Sequence, residues 1–179
     1  MDAFENVVCE ILRADGYWVQ SAYKVALTKE EKREIGRPSC PRWELDVVAY
    51  RAGSNELLVV ECKSYLDSPG VPFGAFADDR HPDAKLYKLF NEDTLRRVVF
   101  GRLVIQMREA ELVAKDPSVK LVLAAGNIRL RDRDQLRSHF DERGWMLWDR
   151  EWLRARLKEM SAGGYEDSSV AVTAKLLLR

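Results

Sequence analysis

The stretch ELDVVAYRAGSNELLVVECK, residues 44–63, decides the fold of this chain. Valine and leucine dominate residues 44–51 and 56–63, and both residue types favour the half-buried surface of a β-sheet. Gly53 and Ser54 lie between the two runs, and both are typical turn residues. The stretch therefore predicts an antiparallel hairpin centred between Gly53 and Ser54.

The hairpin brings carboxylates and a lysine together. Side chains alternate along a strand, so Glu61 and Lys63 point the same way, about 6–7 Å apart along the backbone. The expected register places Asp46 opposite Glu61 and Glu44 opposite Lys63. Cross-strand Cβ atoms lie about 4.5–5.5 Å apart, so two carboxylates there can chelate one hard cation. Because carboxylates repel each other among apolar neighbours, such a placement indicates a functional site.

The rest of the chain alternates helices with strands. Predicted helices cover residues 3–15, 91–115, 131–143 and 149–160, and further strands cover residues 17–25, 119–125 and 145–148. This alternation indicates an α/β fold. Residues 1–160 are predicted to form one domain. Residues 161–179 are predicted to form a C-terminal extension, in which the apolar segment 170–178 is a packing or dimerising helix.

Composition restricts the classes of function. Lys plus Arg and Asp plus Glu both total 29, so the net charge gives no sign of a polyanionic partner. The chain has three cysteines without a CxxC pair and only two histidines, and it contains no Walker loop or GxSxG motif. No window approaches the roughly 18 apolar residues of a membrane span, and the cysteines suit a reducing compartment. We therefore expect a cytoplasmic protein without membrane contact.

The hairpin resembles the signature of the PD-(D/E)xK, or restriction endonuclease-like, nuclease superfamily. That signature places an acidic residue on one strand and (D/E)-x-K on the next, which Asp46 and Glu61-Cys62-Lys63 match. The family core runs α-β-β-β-α-β, and the elements predicted over residues 4–125 follow that order. Leu45 occupies the position of the family's proline. The resemblance implies a restriction endonuclease-like core with a mixed β-sheet flanked by helices.

The resemblance also implies a metal-dependent endodeoxyribonuclease that hydrolyses DNA phosphodiester bonds in restriction, defence or repair. Asp46, Glu61 and the backbone carbonyl of Cys62 would hold Mg²⁺, for which Mn²⁺ would substitute. Lys63 would position a water or help to deprotonate it, and would stabilise charge on the phosphate. Glu5 matches a glutamate on the first helix of many restriction-like members, where it would hold a metal-bound water or a second ion.

The same residues also have purely structural interpretations. Lys63 could form a cross-strand salt bridge with Glu44, and Glu5 fits a capping box with Asp2. Glu10 is the reserve candidate for the role of Glu5, although its spacing from Arg13 favours a pair on the helix surface.

Further candidates concern nucleic-acid contact. They are Arg96, Arg97, Arg102 and Gln106 on the long predicted helix, where arginines could track phosphates or form an ordinary charged face. Phe73 and Phe76, within the segment 64–85, could stack on bases or pack onto their own domain.

The expected partner is double-stranded or branched DNA. A homodimer is expected because duplex cleavage needs two cuts, and any strict sequence specificity would come from the two long loops of the chain or from an additional subunit. Two other functions remain open. One is a catalytically inactive nuclease-fold subunit that binds nucleic acid or scaffolds a complex, and the other is an α/β small-molecule-binding domain with structural carboxylates.

Overall fold

The computed structural model describes residues 2–164 and 167–178 of the chain, so Met1, Tyr165, Glu166 and Arg179 lie outside the description. It has an α/β fold in which helices flank an open five-stranded mixed sheet. The strands are β1 (Trp18–Val25), β2 (Trp43–Arg51), β3 (Glu56–Lys63), β4 (Ser118–Ala125) and β5 (Met146–Trp148). The helices are α1 (Ala3–Ala14), α2 (Lys29–Glu34), α3 (Gly74–Ala77), α4 (Lys88–Asn91), α5 (Asp93–Glu109), α6 (Arg133–Arg143), α7 (Arg150–Ala162) and α8 (Ser169–Leu178).

The strands lie in the sheet in chain order, β1-β2-β3-β4-β5. β1, β2 and β3 pair antiparallel, whereas β4 is parallel to β3 and β5 is parallel to β4. The parallel pairs follow from helical crossovers, since α5 lies between β3 and β4 in the chain and α6 between β4 and β5. The predicted α/β class and the predicted hairpin of β2 and β3 are thus confirmed.

Both faces of the sheet are buried. Along β3, Leu57 and Val59 join the core on the α5 side of the sheet. Leu58 and Val60 join the core on the side of α1, α7 and α8. Burial on both faces explains why β3 reads as a continuous apolar run rather than as an alternating one.

Two helices differ from the sequence prediction. The charged stretch after Leu27 lacks an apolar pattern, yet Lys29–Glu34 form α2, because Thr28 and Glu31 make a complete capping box. The long predicted helix covers only Asp93–Glu109, since Glu92 is extended and Glu111 has a positive φ of 57°. The sequence prediction therefore placed both ends of this helix too far out, at residues 91 and 115.

The C-terminal segment forms α8, which packs against α7 and α1. Ala171 and Ala174 are buried in this contact, whereas Leu176 and Leu177 are 80% and 76% exposed. The preceding helix α7 continues to Ala162, two residues beyond the predicted end of this helix at residue 160. None of the described helices is both long and apolar enough to cross a bilayer.

Phe76 packs onto its own domain. Its ring is buried and lies 4.4 Å from the ring of Tyr87 and 5.2 Å from that of Phe140, measured between centroids. Phe73 is partly buried, with its centroid 5.8 Å from that of His139. The structure therefore favours packing over base stacking for these two aromatic side chains.

A close approach of main chains ties the end of β4 to the end of β3. A Cβ added to Gly126 would lie 2.1 Å from the carbonyl oxygen of Ser64, whereas one added to Gly101 would meet nothing within 4 Å. We expect Gly126→Ala to lower the free energy of unfolding by about 1–3 kcal/mol, as overpacking does. Gly101→Ala, in the middle of α5, should instead raise it by roughly 0.5–1 kcal/mol.

Urea unfolding followed by circular dichroism measures both changes. Equal effects of the two substitutions would contradict the close approach at Gly126.

Candidate active site

The regular pattern of β2 is interrupted at Asp46. Leu45 belongs to the core on the α5 side and Val47 to the opposite core, although residues two apart normally share a face. In β1, Ala22 lies between the partners of Leu45 and Val47 and has a positive φ of 50°. The backbone irregularity therefore lies on both strands at the level of Asp46.

The ladder between β2 and β3 ends at the pair Val47 and Val60. Beyond this pair, a side chain replaces the main-chain partner: Asp46 Oδ2 accepts a hydrogen bond from the backbone N–H of Cys62 at 2.8 Å. The predicted pairs, Asp46 with Glu61 and Glu44 with Lys63, thus lie outside the ladder. The side chain of Asp46 is held in the gap where the two strands separate.

Glu61 and Lys63 form a mostly buried ion pair. Lys63 Nζ lies 2.5 Å from Glu61 Oε1, and the two side chains are only 20% and 18% exposed. Glu44 pairs instead with Lys24, at 3.9 Å between Lys24 Nζ and Glu44 Oε2. The alternative salt bridge between Glu44 and Lys63 is therefore wrong.

Like charges converge on Glu61. Burial raises the pKa of its carboxyl group, the Lys63 ammonium opposes that rise, and the carboxylates of Asp46 and Glu5 add to it. Three carboxylates thus share one electrostatic environment, although they come from α1, β2 and β3. The fold therefore keeps mutually repelling carboxylates around the mostly buried Glu61.

Lys63 responds in the opposite sense to the same neighbours. Burial alone would lower the pKa of its ammonium group, but the carboxylates of Glu61 and Asp46 outweigh burial and raise it. Lys63 therefore keeps its proton at neutral pH.

Glu5 caps α1 in addition to facing the site. Its Oε2 accepts a hydrogen bond from the Asp2 N–H at 3.1 Å, and Asp2 Oδ1 accepts one from the Glu5 N–H at 2.7 Å, so the capping box is complete. Burial raises the pKa of Glu5, and the Asp46 carboxylate contributes to this rise. The reserve candidate Glu10 forms the helical surface pair with Arg13.

The donor set fits a hard cation that keeps much of its water. Within residues 2–164 and 167–178, no group of three or more His, Cys, Asp or Glu side chains is arranged to hold a metal ion. Asp46 and Glu61 nevertheless supply two carboxylates, and the Cys62 carbonyl is a further oxygen donor. One or two carboxylates suffice for Mg²⁺, which retains several waters, but a closed structural metal site would need more ligands.

The candidate nucleic-acid residues of α5 are engaged within the chain. Arg97 pairs with Glu34, and Arg102 makes a bidentate ion pair with Glu31. Arg96 donates to the carbonyls of Leu89 and Phe90 as well as to Asp93, and Gln106 bonds the backbone of Lys24 and Ala26. These contacts hold α2, α4 and β1 against α5.

Tyr87 is a buried tyrosine whose electrostatic link to Glu61 the sequence does not reveal. It is 1% exposed, and among the described residues nothing meets its hydroxyl with hydrogen-bonding geometry, although Tyr65 approaches it. Burial raises its pKa, and Tyr65, Asp83 and Glu61 raise it further. Tyr65 itself has a positive φ of 41°, just beyond Lys63. A tyrosine outside any motif gives no sequence signal for this position.

Comparisons with known proteins find no matching family model, no matching curated protein and no matching solved structure. The function is therefore inferred from the side chains of the chain itself.

The electrostatic coupling of the site can be measured at Glu61. We expect Asp46→Asn to lower the pKa of Glu61, because the substitution removes a negative charge and retains an oxygen that can accept from the Cys62 N–H. Glu44→Gln should leave this pKa unchanged, since Glu44 pairs with Lys24. Carboxyl ¹³C NMR titration in EDTA gives the pKa directly. An unchanged Glu61 pKa in Asp46→Asn would show that the two carboxylates are not coupled.

Proposed function

We propose that this protein is a metal-dependent endodeoxyribonuclease with a restriction endonuclease-like core. The observation that carries the proposal is the convergence of Asp46, Glu61 and Lys63 where β2 and β3 separate. Its support lies in the residue types, their order on adjacent strands and the accumulated negative charge. Together they suit binding of a cation and attack on a phosphodiester.

Lys63 would act as a charge in the reaction. Because the neighbouring carboxylates hold it protonated, its ammonium group would stabilise the negative charge that develops on the phosphoryl oxygens. Its hydrogen bond to Glu61 fixes the position of the ammonium group. Hydrolysis would add water across one P–O bond, with one product carrying a phosphate monoester and the other a hydroxyl group.

Asp46, Glu61 and the Cys62 carbonyl would hold Mg²⁺ or Mn²⁺. When bound, such a cation supplies a Lewis acid that makes water a better nucleophile and offsets charge on the phosphate. Asp46 is oriented for this role by the Cys62 N–H. Glu5 would orient a water at the edge of the site, in addition to capping α1.

The proposed substrate is double-stranded or branched DNA, and the proposed assembly is a homodimer with two sites for two strands. The exposed Leu176 and Leu177 of α8 support an association of this kind, because large apolar side chains at one end of a helix favour burial. An additional subunit would supply sequence specificity. A cytoplasmic location is part of the same proposal.

A catalytically inactive subunit of the same fold is the second candidate. It is favoured by one observation: Lys63 is paired with Glu61, and Asp46 bonds the main chain, so both groups already have partners within the protein. Such a protein would bind nucleic acid or scaffold a complex without cutting.

Cleavage assays separate these two functions. We expect the protein to cut supercoiled plasmid in Mg²⁺ or Mn²⁺ and not in EDTA, and a single-stranded oligonucleotide serves as the comparison substrate. Lys63→Ala and Asp46→Asn should each reduce the rate by about 10²–10⁴-fold, as loss of a positioned catalytic group does. Glu44→Gln, which removes a carboxylate from the same strand, should retain the wild-type rate.

Binding of DNA or metal without cleavage would favour the inactive subunit. Failure to cut and to bind either one would contradict both candidates.

Metal binding should also stabilise the fold. At a concentration one hundred times its Kd, a cation that binds only the folded state raises the free energy of unfolding by about 2.7 kcal/mol. We therefore expect Mg²⁺ or Mn²⁺ to raise the melting temperature of the wild type by several degrees. The shift should vanish in Asp46→Asn and persist in Glu44→Gln. Equal shifts in all three proteins would mean that the cation binds elsewhere.

A further inference from the structure

Arginines other than those of α5 also lie on elements that follow β4, the strand paired with β3. A second group follows β4 in the chain and continues into the first turns of α7. It comprises Arg129, Arg131, Arg133, Arg150 and Arg154. We call this group the post-β4 basic surface.

Main-chain contacts connect this surface to Lys63. β3 and β4 are parallel, with Lys63 paired to Ala125, so both strands end at the same edge of the sheet. The Gly126 N–H donates to the Lys63 carbonyl at 2.9 Å, and Arg150 Nε donates to the Gly126 carbonyl at 2.9 Å. Gly126 thus links Lys63 at the end of β3 to Arg150, the first residue of α7.

The segment after Gly126 runs outward from that edge. It is fixed at its base by a bridge between Val71 and Ile128, and Leu130 further along is 80% exposed. Since a residue spans at most about 3.6 Å, Arg131 lies within about 22 Å of Ala125 along the chain. Arg133, Arg150 and Arg154 line one cleft together with Ile128.

The charges of this surface are weakly compensated. Arg131 is 82% exposed, and its one ion-pair contact among the described residues is to Asp132, at 3.6 Å, while Arg133 lies 3.6 Å from Glu151. Arg154 is exposed and has no ion pair within the described part of the chain. The Nε of Arg129 is buried and, among the described residues, has no hydrogen-bond partner.

Two nearby acids have further partners. Asp149 caps α7 through the Trp152 N–H and pairs with Arg137, and Asp132 accepts a hydrogen bond from the Phe73 N–H. Arg96, Arg97 and Arg102 of α5 contrast with this group, because contacts to α2 and to main-chain carbonyls satisfy them. An incoming polyanion would find donors only partly engaged on the post-β4 basic surface.

We infer that the post-β4 basic surface is where the sugar-phosphate backbone of DNA lies when it reaches the candidate site. This inference rests on the proposed nuclease function and assigns its substrate contact to residues other than the α5 candidates. Arginine is suited to this contact because its planar fork of donors matches phosphate oxygens.

The test measures affinity for a fluorescently labelled DNA duplex in EDTA by anisotropy, from 50 to 200 mM salt, so that cleavage does not interfere. Each phosphate contact contributes about 0.9 to the slope of log K against log salt. Arg131→Ala/Arg154→Ala should reduce the slope by about 1.8 and weaken binding at every salt concentration. Arg33→Ala/Arg108→Ala removes the same charge from exposed positions on α2 and α5, and should leave the slope unchanged.

A loss of slope in the control pair but not in the Arg131/Arg154 pair would overturn the inference and place DNA on the α5 side. Equal losses in both pairs would also overturn it, because net charge alone would explain them. Plasmid cleavage by the wild type, assayed in parallel, separates this failure from failure of the proposed function. If the wild type cuts DNA while both variants bind normally, the surface is wrong and the nuclease stands. If the wild type neither binds nor cuts, both proposals fall.

Discussion

The buried ion pair between Lys63 and Glu61 is the interaction on which the candidate site depends. A lone carboxylate in this position would be strongly disfavoured as an anion, and a lone lysine as a cation, because both are largely removed from water. Each makes the charge of the other tolerable. The pair still does not balance the site, since Asp46 and Glu5 add negative charge to the same environment. The site therefore carries an excess of negative charge, which favours binding of a cation.

The sheet makes this arrangement possible. Both faces of β3 are packed, so residues Leu57 to Val60 fix the strand rigidly up to the point where pairing with β2 stops. From there, polar groups replace apolar ones, and the Asp46 side chain satisfies the Cys62 N–H that the ladder no longer reaches. The ladder ends at the pair Val47 and Val60, so Asp46 lies outside it. Because the Asp46 carboxylate accepts from the Cys62 N–H, this end of the ladder leaves no unpaired N–H at Cys62. The apolar core therefore ends where the candidate site begins.

Part of this could be predicted from the sequence. The valine-rich runs specify the hairpin, and strict alternation places Glu61 and Lys63 on one face, since both depend only on local periodicity. The break at Asp46 could not be predicted, because it coincides with a left-handed conformation of Ala22 on the neighbouring strand, which no local pattern indicates. The partners of Arg97 and Arg102 were equally hidden. They lie on α2, a helix that a capping box specifies and apolar periodicity does not. The electrostatic link between Tyr87 and Glu61 depends on the fold of the segment between β3 and α5.

The electrostatics also constrain how Lys63 can function. A lysine that serves as a general base needs a lowered pKa, which burial alone would provide, but the carboxylates around Lys63 more than reverse the effect of burial. A bound cation would neutralise the same carboxylates and so would weaken their effect on the pKa of Lys63. In the proposed nuclease, the protonation of Lys63 would therefore be coupled to binding of the cation. The ammonium group of Lys63 offsets the repulsion between the carboxylates, and its bond to Glu61 would compete with the cation for the carboxylate of Glu61. One side chain would thus link the stability of the fold to the charge that meets the phosphate.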